Sequence, residues 1–599
     1  MFNKTWRYGI CALAGAVMVS AAAQESLESL RDQKISEIEI QGIKDKKQLE
    51  NARAFLALSR VKNEKITQPS YINYLIENGV EEIQRSQQPF GYYHSNVRVD
   101  KKQLNDQKIK VIYTVDLGAP ALIRTIDIKT EGEAKEDAEF RQLMTKHPFK
   151  TGKALNHQQY ETYKNEYTAL GTRKGYFDGK FDTKRIAVDT DQNSADIAIH
   201  YDSGQRYHFG KTQFSNAEQS ENPKILPLDE SLLQRFVTIR EGEVYEARKI
   251  TQLQQDLQSS GYFRQVLVGG KPDPEQKIVP IDAQLTMNKN KHYALGIGYS
   301  TDSGIRGKVD FDWRWVNRYG HNFSSSLYAS RKNSEFNNMY RIPAAHPSTD
   351  YYYLNFGGRI KDTGYTSRRG FIGGGYNWRV NHWDWRAGIT TAYEKFTIGN
   401  DKDEVVLTYP SVSVTYNSND NRFNPDAGYQ FQFEVLGGVE NVLSDISFAQ
   451  TNARAVYIQP FNAKNRVIGR IDLGANWADD YQRLPPSFRY FAGGDRSIRG
   501  YGYEYIGPRD SSNTNIGGKY LATTSLEYEY YFKDDWAAAA FVDAGDAFKD
   551  DFKAKVGAGL GVHWKSPVGP IHLDLGHGFD KDYGDNVRIH LTIGTQLDL

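Results

Sequence analysis

The chain has 599 residues, a net charge of +1, 13% aromatic residues including 39 Tyr, and a mean hydropathy of −0.64. That length exceeds what one hydrophobic core usually fills, so several domains are expected. The balanced charge leaves no footprint for nucleic acid, and beyond the N-terminus no apolar run approaches the roughly 18 residues that a membrane helix needs.

Lys4 and Arg7 precede an apolar stretch from Gly9 to Val19 and then Ala21-Ala22-Ala23. Residues 1–23 therefore read as a secretory signal peptide, with cleavage expected after Ala23. Cys11, the only cysteine, lies inside it behind Gly9-Ile10, a poor lipoprotein site. The exported chain is expected to contain no thiol, which excludes disulfides and thiol chemistry.

A unit of about 85 residues then recurs three times. Gly91-Tyr92-Tyr93, Gly175-Tyr176-Phe177 and Gly261-Tyr262-Phe263 each close a helical pattern and open a strand, and Asp116-Leu117-Gly118 and Asp202-Ser203-Gly204 mark unit boundaries. The units are read as residues 36–118, 121–204 and 207–288, each in the order strand, helix, helix, strand, strand. Ser70, after Pro69, is the expected cap of the second helix in the first unit, and Asn156 caps its counterpart in the second. Short sheets with free edges suit the capture of an extended peptide by strand addition.

From residue 291 to 599 the pattern changes to runs of about ten residues alternating strictly between apolar and polar, as strands between lipid and a wet lumen do. Sixteen such runs are found, an even number, as a closed bacterial barrel requires. With low mean hydropathy the reading is unchanged, since only every second residue need be apolar. The fourth run contains Pro343, which makes it the most irregular. In the thirteenth, Trp536, Ala538, Ala540, Val542 and Ala544 share the outward parity, while Phe541, Asp543 and Gly545 face in.

Between the eleventh and twelfth runs lies a connection of roughly forty residues, carrying Gly493-Gly494-Asp495-Arg496-Ser497-Ile498-Arg499-Gly500-Tyr501. Three glycines permit tight turns and close packing, and the Arg499 fork suits a fixed carboxylate. Asp543 is an inward acid between small residues that lacks a local partner. The loop is expected to fold into the lumen and carry Arg499 to it.

These features together resemble the outer-membrane assembly factors that join polypeptide-transport-associated (POTRA) domains to a sixteen-stranded barrel, and within them the TamA-like branch with three repeats. The resemblance covers essentially the whole exported chain, and four motifs in the barrel support it: Ser497-Ile498-Arg499-Gly500-Tyr501, Phe541-Val542-Asp543-Ala544-Gly545, Pro567-Val568-Gly569-Pro570-Ile571 and Asn424-Pro425-Asp426-Ala427-Gly428. Ile498 stands where the family has Val, and the chain ends in Leu597-Asp598-Leu599 where many outer-membrane barrels end in an aromatic. The resemblance implies a Gram-negative outer-membrane location with the repeats in the periplasm. It also implies insertion or translocation of unfolded β-barrel or autotransporter substrates, and a TamB-like inner-membrane-anchored periplasmic partner. A two-partner-secretion-type export pore, or a passive channel or receptor plugged by its loop, is the alternative. The periplasmic arm speaks against a simple porin.

No catalytic constellation emerges, so an enzyme, a metal site and a cofactor are not expected. His563, His572, His577 and His590 lie near the C-terminus without a carboxylate pair at fixed spacing, and Gly373-Gly374-Gly375 sits mid-strand rather than before a helix. The loop motif and its anchor are Gly493, Gly494, Arg499, Gly500, Tyr501, Phe541, Asp543 and Gly545. A lateral seam between a short first strand and the last strand is expected to open for incoming strands, with Gly296, Ile297 and Gly298 on one side and Leu591, Ile593 and Gly594 on the other. The unit nearest the barrel is expected to handle substrate, and the first to dock the partner.

Overall fold

A computed structural model describes residues 30–105, 107–217, 226–418, 427–566, 569–583 and 587–593. The expected signal peptide, Gly594 and most of the Asn424–Gly428 turn lie outside these residues. The first repeat runs β1 (Lys34–Gln41), α1 (Lys46–Phe55), α2 (Pro69–Gln87), β2 (Asn96–Asn105), β3 (Lys108–Asp116). The second runs β4 (Leu122–Glu131), α3 (Ala138–Thr145), α4 (His157–Lys174), β5 (Lys180–Asp189), β6 (Ser194–Asp202). The third runs β7 (His208–Asn216), α5 (Glu230–Gln234), α6 (Ala247–Ser259), β8 (Phe263–Gly269), β9 (Ile278–Met287). In each sheet the last strand lies centrally, giving the orders β1-β3-β2, β4-β6-β5 and β7-β9-β8. In the first two repeats the outer first strand pairs parallel to the central one.

The recurring glycine has a local cause. Gly91, Gly175 and Gly261 take φ of +91°, +88° and +76°, the left-handed conformation that ends a helix with little strain in glycine. The aromatic behind it then enters the core, as Tyr176 and Tyr262 do. Asn156 caps α4 by accepting from the Gln159 amide. Ser70 does not cap α2. Gln68 holds the cap position and Pro69 the first turn, because the ring presets φ where an amide would be unpartnered anyway.

Contacts divide the described residues into two compact units, one within 30–211 together with 240–248 and 270–281, the other within 212–239 together with 249–269 and 282–593. The second unit thus takes α5, α6 and β8 from the third repeat together with the barrel. Within it the Arg235 Nη1 donates to the carbonyls of Pro343 and Ala344 at 3.0 and 2.9 Å. The Tyr262 hydroxyl donates to Gly320 O at 2.5 Å, so this part of the repeat is fastened to two barrel turns.

Sixteen antiparallel strands close into a barrel. The fourth, Asn333–Pro343, is regular to its end, where Pro343 lies opposite Tyr351. Along the thirteenth strand, Trp536–Phe548, Val542 is 51% exposed and Asp543 0%, as the alternation predicts. The first strand, Lys291–Ser300, has 10 residues, matching the second at 10 and the third at 9. It is shorter than every strand from the fourth to the fourteenth, which have 11 to 17 residues. Trp383 against Tyr416, Tyr416 against Tyr429 and Trp536 against Trp564 form aromatic contacts at the rim where the first strand begins, the position of an interfacial girdle. Among the described residues no helix is long and apolar enough to cross a membrane.

Candidate functional site: a loop clamped in the lumen

The connection from the eleventh strand, Asn465–Ala478, to the twelfth, Tyr520–Lys533, enters the barrel as a narrow hairpin. Backbone bonds join Tyr490 to Gly518 and Ala492 to Ile506. At the tip Gly493 and Gly494 take φ of +99° and +103°, which turns the chain so that Gly494 N donates to Ile498 O at 3.3 Å.

Arg499 is 6% exposed and Asp543 is 0% exposed. The fork is bidentate: Nε to Asp543 Oδ2 at 2.8 Å and Nη2 to Oδ1 at 3.0 Å. The Arg499 amide also donates to Asp543 Oδ2 at 3.0 Å. Asp543 has a local partner after all, the Ser525 hydroxyl at 2.6 Å on the strand opposite. Nη1 reaches Glu527 at 2.5 Å and Asp574 at 3.3 Å. The guanidinium lies 3.5 Å from the centroid of the Phe541 ring, so the aromatic of the thirteenth-strand motif forms the face on which the fork rests. Tyr501 is buried, donating to Val556 O at 2.9 Å and accepting from the Asp580 amide at 3.0 Å. Gly545 lies against the twelfth strand, where a Cβ would meet Thr523 Cα at 2.6 Å.

The floor beneath the loop is glycine. On the fourteenth strand, Lys555–Ser566, a Cβ at Gly557 would overlap the Arg499 carbonyl oxygen, and one at Gly561 the Asp574 carboxylate. On the fifteenth, Gly569–Gly578, a Cβ at Gly576 would meet Gly500 N at 2.8 Å, and at Gly578 the Tyr501 ring at 2.8 Å. Gly557, Gly559 and Gly561 share the strand parity of His563, which faces the lumen. Such a run of inward glycines is the sequence signal of a groove for a backbone.

Nor are the histidines without acids. His563 has Nδ1 2.7 Å from Glu529 and Nε2 3.0 Å from Asp574, an arrangement that suits a ring carrying both protons. Glu529 is also ion-paired to Arg466, and the His572 ring stacks on His563 at 3.9 Å. Two groups bring ligand-type atoms within 4.8 Å of each other, Glu527 with Glu529 and His563, and Asp302 with Asp495 and His590. In both, protein donors already occupy the carboxylates, so the geometry is that of satisfied hydrogen-bond and ion-pair networks rather than of an open cation cage.

The second group lies where the loop meets the barrel's first and last strands. Asp302, in the turn after the first strand, has its carboxyl raised to about 6 by burial and by the adjacent Asp495 carboxylate. The first strand pairs with the sixteenth, Val587–Ile593, through Tyr299 opposite Ile593 and Ser300 opposite Thr592 among the described residues. Ile297 is 86% exposed, and Leu591 lies opposite Leu573. Gly296 and Gly298 oppose Lys308 and Arg306 on the second strand. A Cβ on Gly296 would meet nothing nearer than 3.7 Å, so crowding does not require glycine there.

A sixteen-stranded barrel preceded by β-α-α-β-β repeats and closed from within by its own arginine-clamped loop defines one class of outer-membrane β-barrel protein. A family model of the Omp85 superfamily domain matches residues 283–597, and the chain belongs to that superfamily. A model of POTRA domain TamA domain 1 matches residues 37–117, and a POTRA model described as surface antigen variable number repeat matches 123–204. The chain is 28% identical over 396 residues to the outer membrane protein assembly factor BamA of Nitratidesulfovibrio vulgaris, covering 60% of this chain and 48% of that protein. To the BamA of Neorickettsia risticii it is 20% identical over 430 residues, covering 66% and 55%. The chain thus spans about half the length of the curated relatives it matches. The crystal structure of BamA from Haemophilus ducreyi lacking POTRA domains 1–3 has the same fold, with a TM-score of 0.53 at 16% identity, covering 94% of this chain and 99% of that one.

Proposed function

We propose that this protein inserts or translocates other β-barrel or autotransporter-type proteins at the Gram-negative outer membrane, with its repeats in the periplasm and its barrel in contact with outer-membrane lipid. The observation that carries the reading is a loop-filled lumen joined to three β-α-α-β-β repeats, an arm for which a passive plugged channel has no use. Arg499 and Tyr501 bury the loop against a glycine floor, which suits a plugged scaffold better than a free aqueous pore. The similar proteins named outer membrane protein assembly factor support the same reading. Three free-edged sheets offer strand addition, and the seam between first and last strands is where a client strand would join.

A TamA-like role is the finer form of the proposal, supported by the family model matched at residues 37–117. It assigns the first repeat to a TamB-like inner-membrane-anchored partner and the third, fastened to the barrel turns, to client handling. Reconstitution into lipid vesicles tests the activity. A urea-denatured β-barrel client should fold faster with this protein than in empty vesicles, and equal rates contradict the proposal. Deleting residues 36–118 should abolish capture of the partner while leaving vesicle activity; partner capture by the truncated chain contradicts the assignment.

A further inference from the structure

Loop and seam meet at one side chain. Asp495 stands four residues before Arg499, and its carboxylate touches both strands of the seam. Oδ2 accepts from the Ser300 hydroxyl at 2.5 Å and faces the Thr592 hydroxyl at 3.5 Å. Oδ1 lies 2.5 Å from His590 Nδ1 and 3.4 Å from the Thr301 hydroxyl. The Asp495 amide donates to Asp302 Oδ2 at 2.7 Å. Among the described residues Ser300 and Thr592 are one of the paired positions between the two strands, so the carboxylate spans a rung where they meet.

His590 ties this contact to the arginine clamp. Its Nε2 accepts from the Gly500 amide at 2.9 Å. That amide can only donate, so Nε2 carries no proton, and the ring proton sits on Nδ1, pointing at Asp495. A single imidazole on the last strand therefore accepts from one side of the loop tip and donates to the other.

We propose that Asp495 is a latch holding the first and last barrel strands together through the loop, so that strand separation at the seam requires this carboxylate to let go. The latch rests on the insertion reading for its purpose but not for its existence. Hydrogen bonds to a carboxylate are roughly twice as strong as neutral ones. Asp495 supplies such bonds to the first strand at Ser300 and to the last at His590. The Arg499 clamp belongs to strands twelve, thirteen and fifteen, on which Ser525, Glu527, Asp543 and Asp574 lie. Loop retention and seam closure are thus carried by different side chains of one loop, four residues apart.

The test uses purified full-length protein in detergent micelles. Two readouts are taken: hydrogen exchange of the Thr301 amide, which donates to Leu591 O across the seam at 3.2 Å and exchanges in proportion to seam opening, and trypsin cleavage at Arg496 and Arg499, which reports loop release. With Asp495→Ala that exchange should quicken on the order of tenfold, the equivalent of one charge-assisted hydrogen bond, while Arg499 keeps the loop resistant to trypsin. Ser300→Ala, which removes one arm only, should shift the rate in the same direction and carries the test if Asp495→Ala does not fold. Rates within about twofold of the parent in the folded variants overturn the latch, whether or not trypsin cuts the loop. No client is present, so the insertion reading can fail while the latch stands. A barrel whose seam exchanges as expected yet never accelerates client folding contradicts the function alone.

Discussion

Replacing Arg499 by alanine removes the fork that joins loop to wall. The side chain makes two bonds to Asp543, one to Glu527, and longer ones to Asp574 and Ser525. Asp543 is fully buried, and leaving a buried charge half-paired costs about 3–5 kcal/mol. Arg499→Ala should therefore lower barrel stability by roughly that amount. Asp543→Ala should cost somewhat less, because Glu527 and Asp574 still receive the guanidinium. Arg499→Lys should not rescue fully, since an ammonium cannot reproduce the bidentate geometry. Urea titration in detergent micelles, read by the shift of the heat-modifiable band, gives each loss. The double variant should lose little more than Arg499→Ala alone, a coupling close to the whole Asp543→Ala loss and so near the upper end of the usual range, about 3 kcal/mol. Strictly additive losses would refute the direct clamp.

Gly557→Leu removes no charge yet fills the groove under the Arg499 carbonyl, so it should destabilise by about 1–3 kcal/mol and expose the loop to trypsin. Tyr501→Phe loses the hydroxyl between Val556 and Asp580 and should cost about 1 kcal/mol in the same titration. Asp302 has a folded-state value of about 6 against 3.8, so its ionisation opposes folding. The penalty is absent below the lower value, grows as pH rises between the two and is complete above the higher. Asp302→Asn should therefore be more stable than the parent at pH 7.5, with the advantage vanishing near pH 4; an advantage independent of pH contradicts the burial of that carboxyl. Arg235→Ala removes both bonds to the barrel turn and should speed amide exchange across residues 229–237 without changing it in the first repeat.

Elements governed by local chemistry could be read directly from the sequence. The repeated glycine ends helices because its backbone must be left-handed there, and strand parity placed Asp543 inward beside Phe541. The pairing of Arg499 with Asp543 followed from an inward acid and a loop rich in glycine. What escaped depends on which strands become neighbours. His563 lies between Glu529 of the twelfth strand and Asp574 of the fifteenth, a relation set by barrel register and invisible to spacing along the chain. Asp495 sat inside the recognised motif, but its partners at Ser300 and His590 come from opposite ends of the barrel sequence. The glycine floor was legible as a pattern, and only the loop lying on it gives the pattern its meaning.

We propose that clients pass through the seam between the first and last strands. Cysteines at positions 299 and 593, oxidised to a disulfide in vesicle-reconstituted protein, lock that seam with the lumen loop left in place. The account predicts that the locked barrel loses its acceleration of client folding and regains it on reduction. A locked barrel that works at the unlocked rate contradicts it.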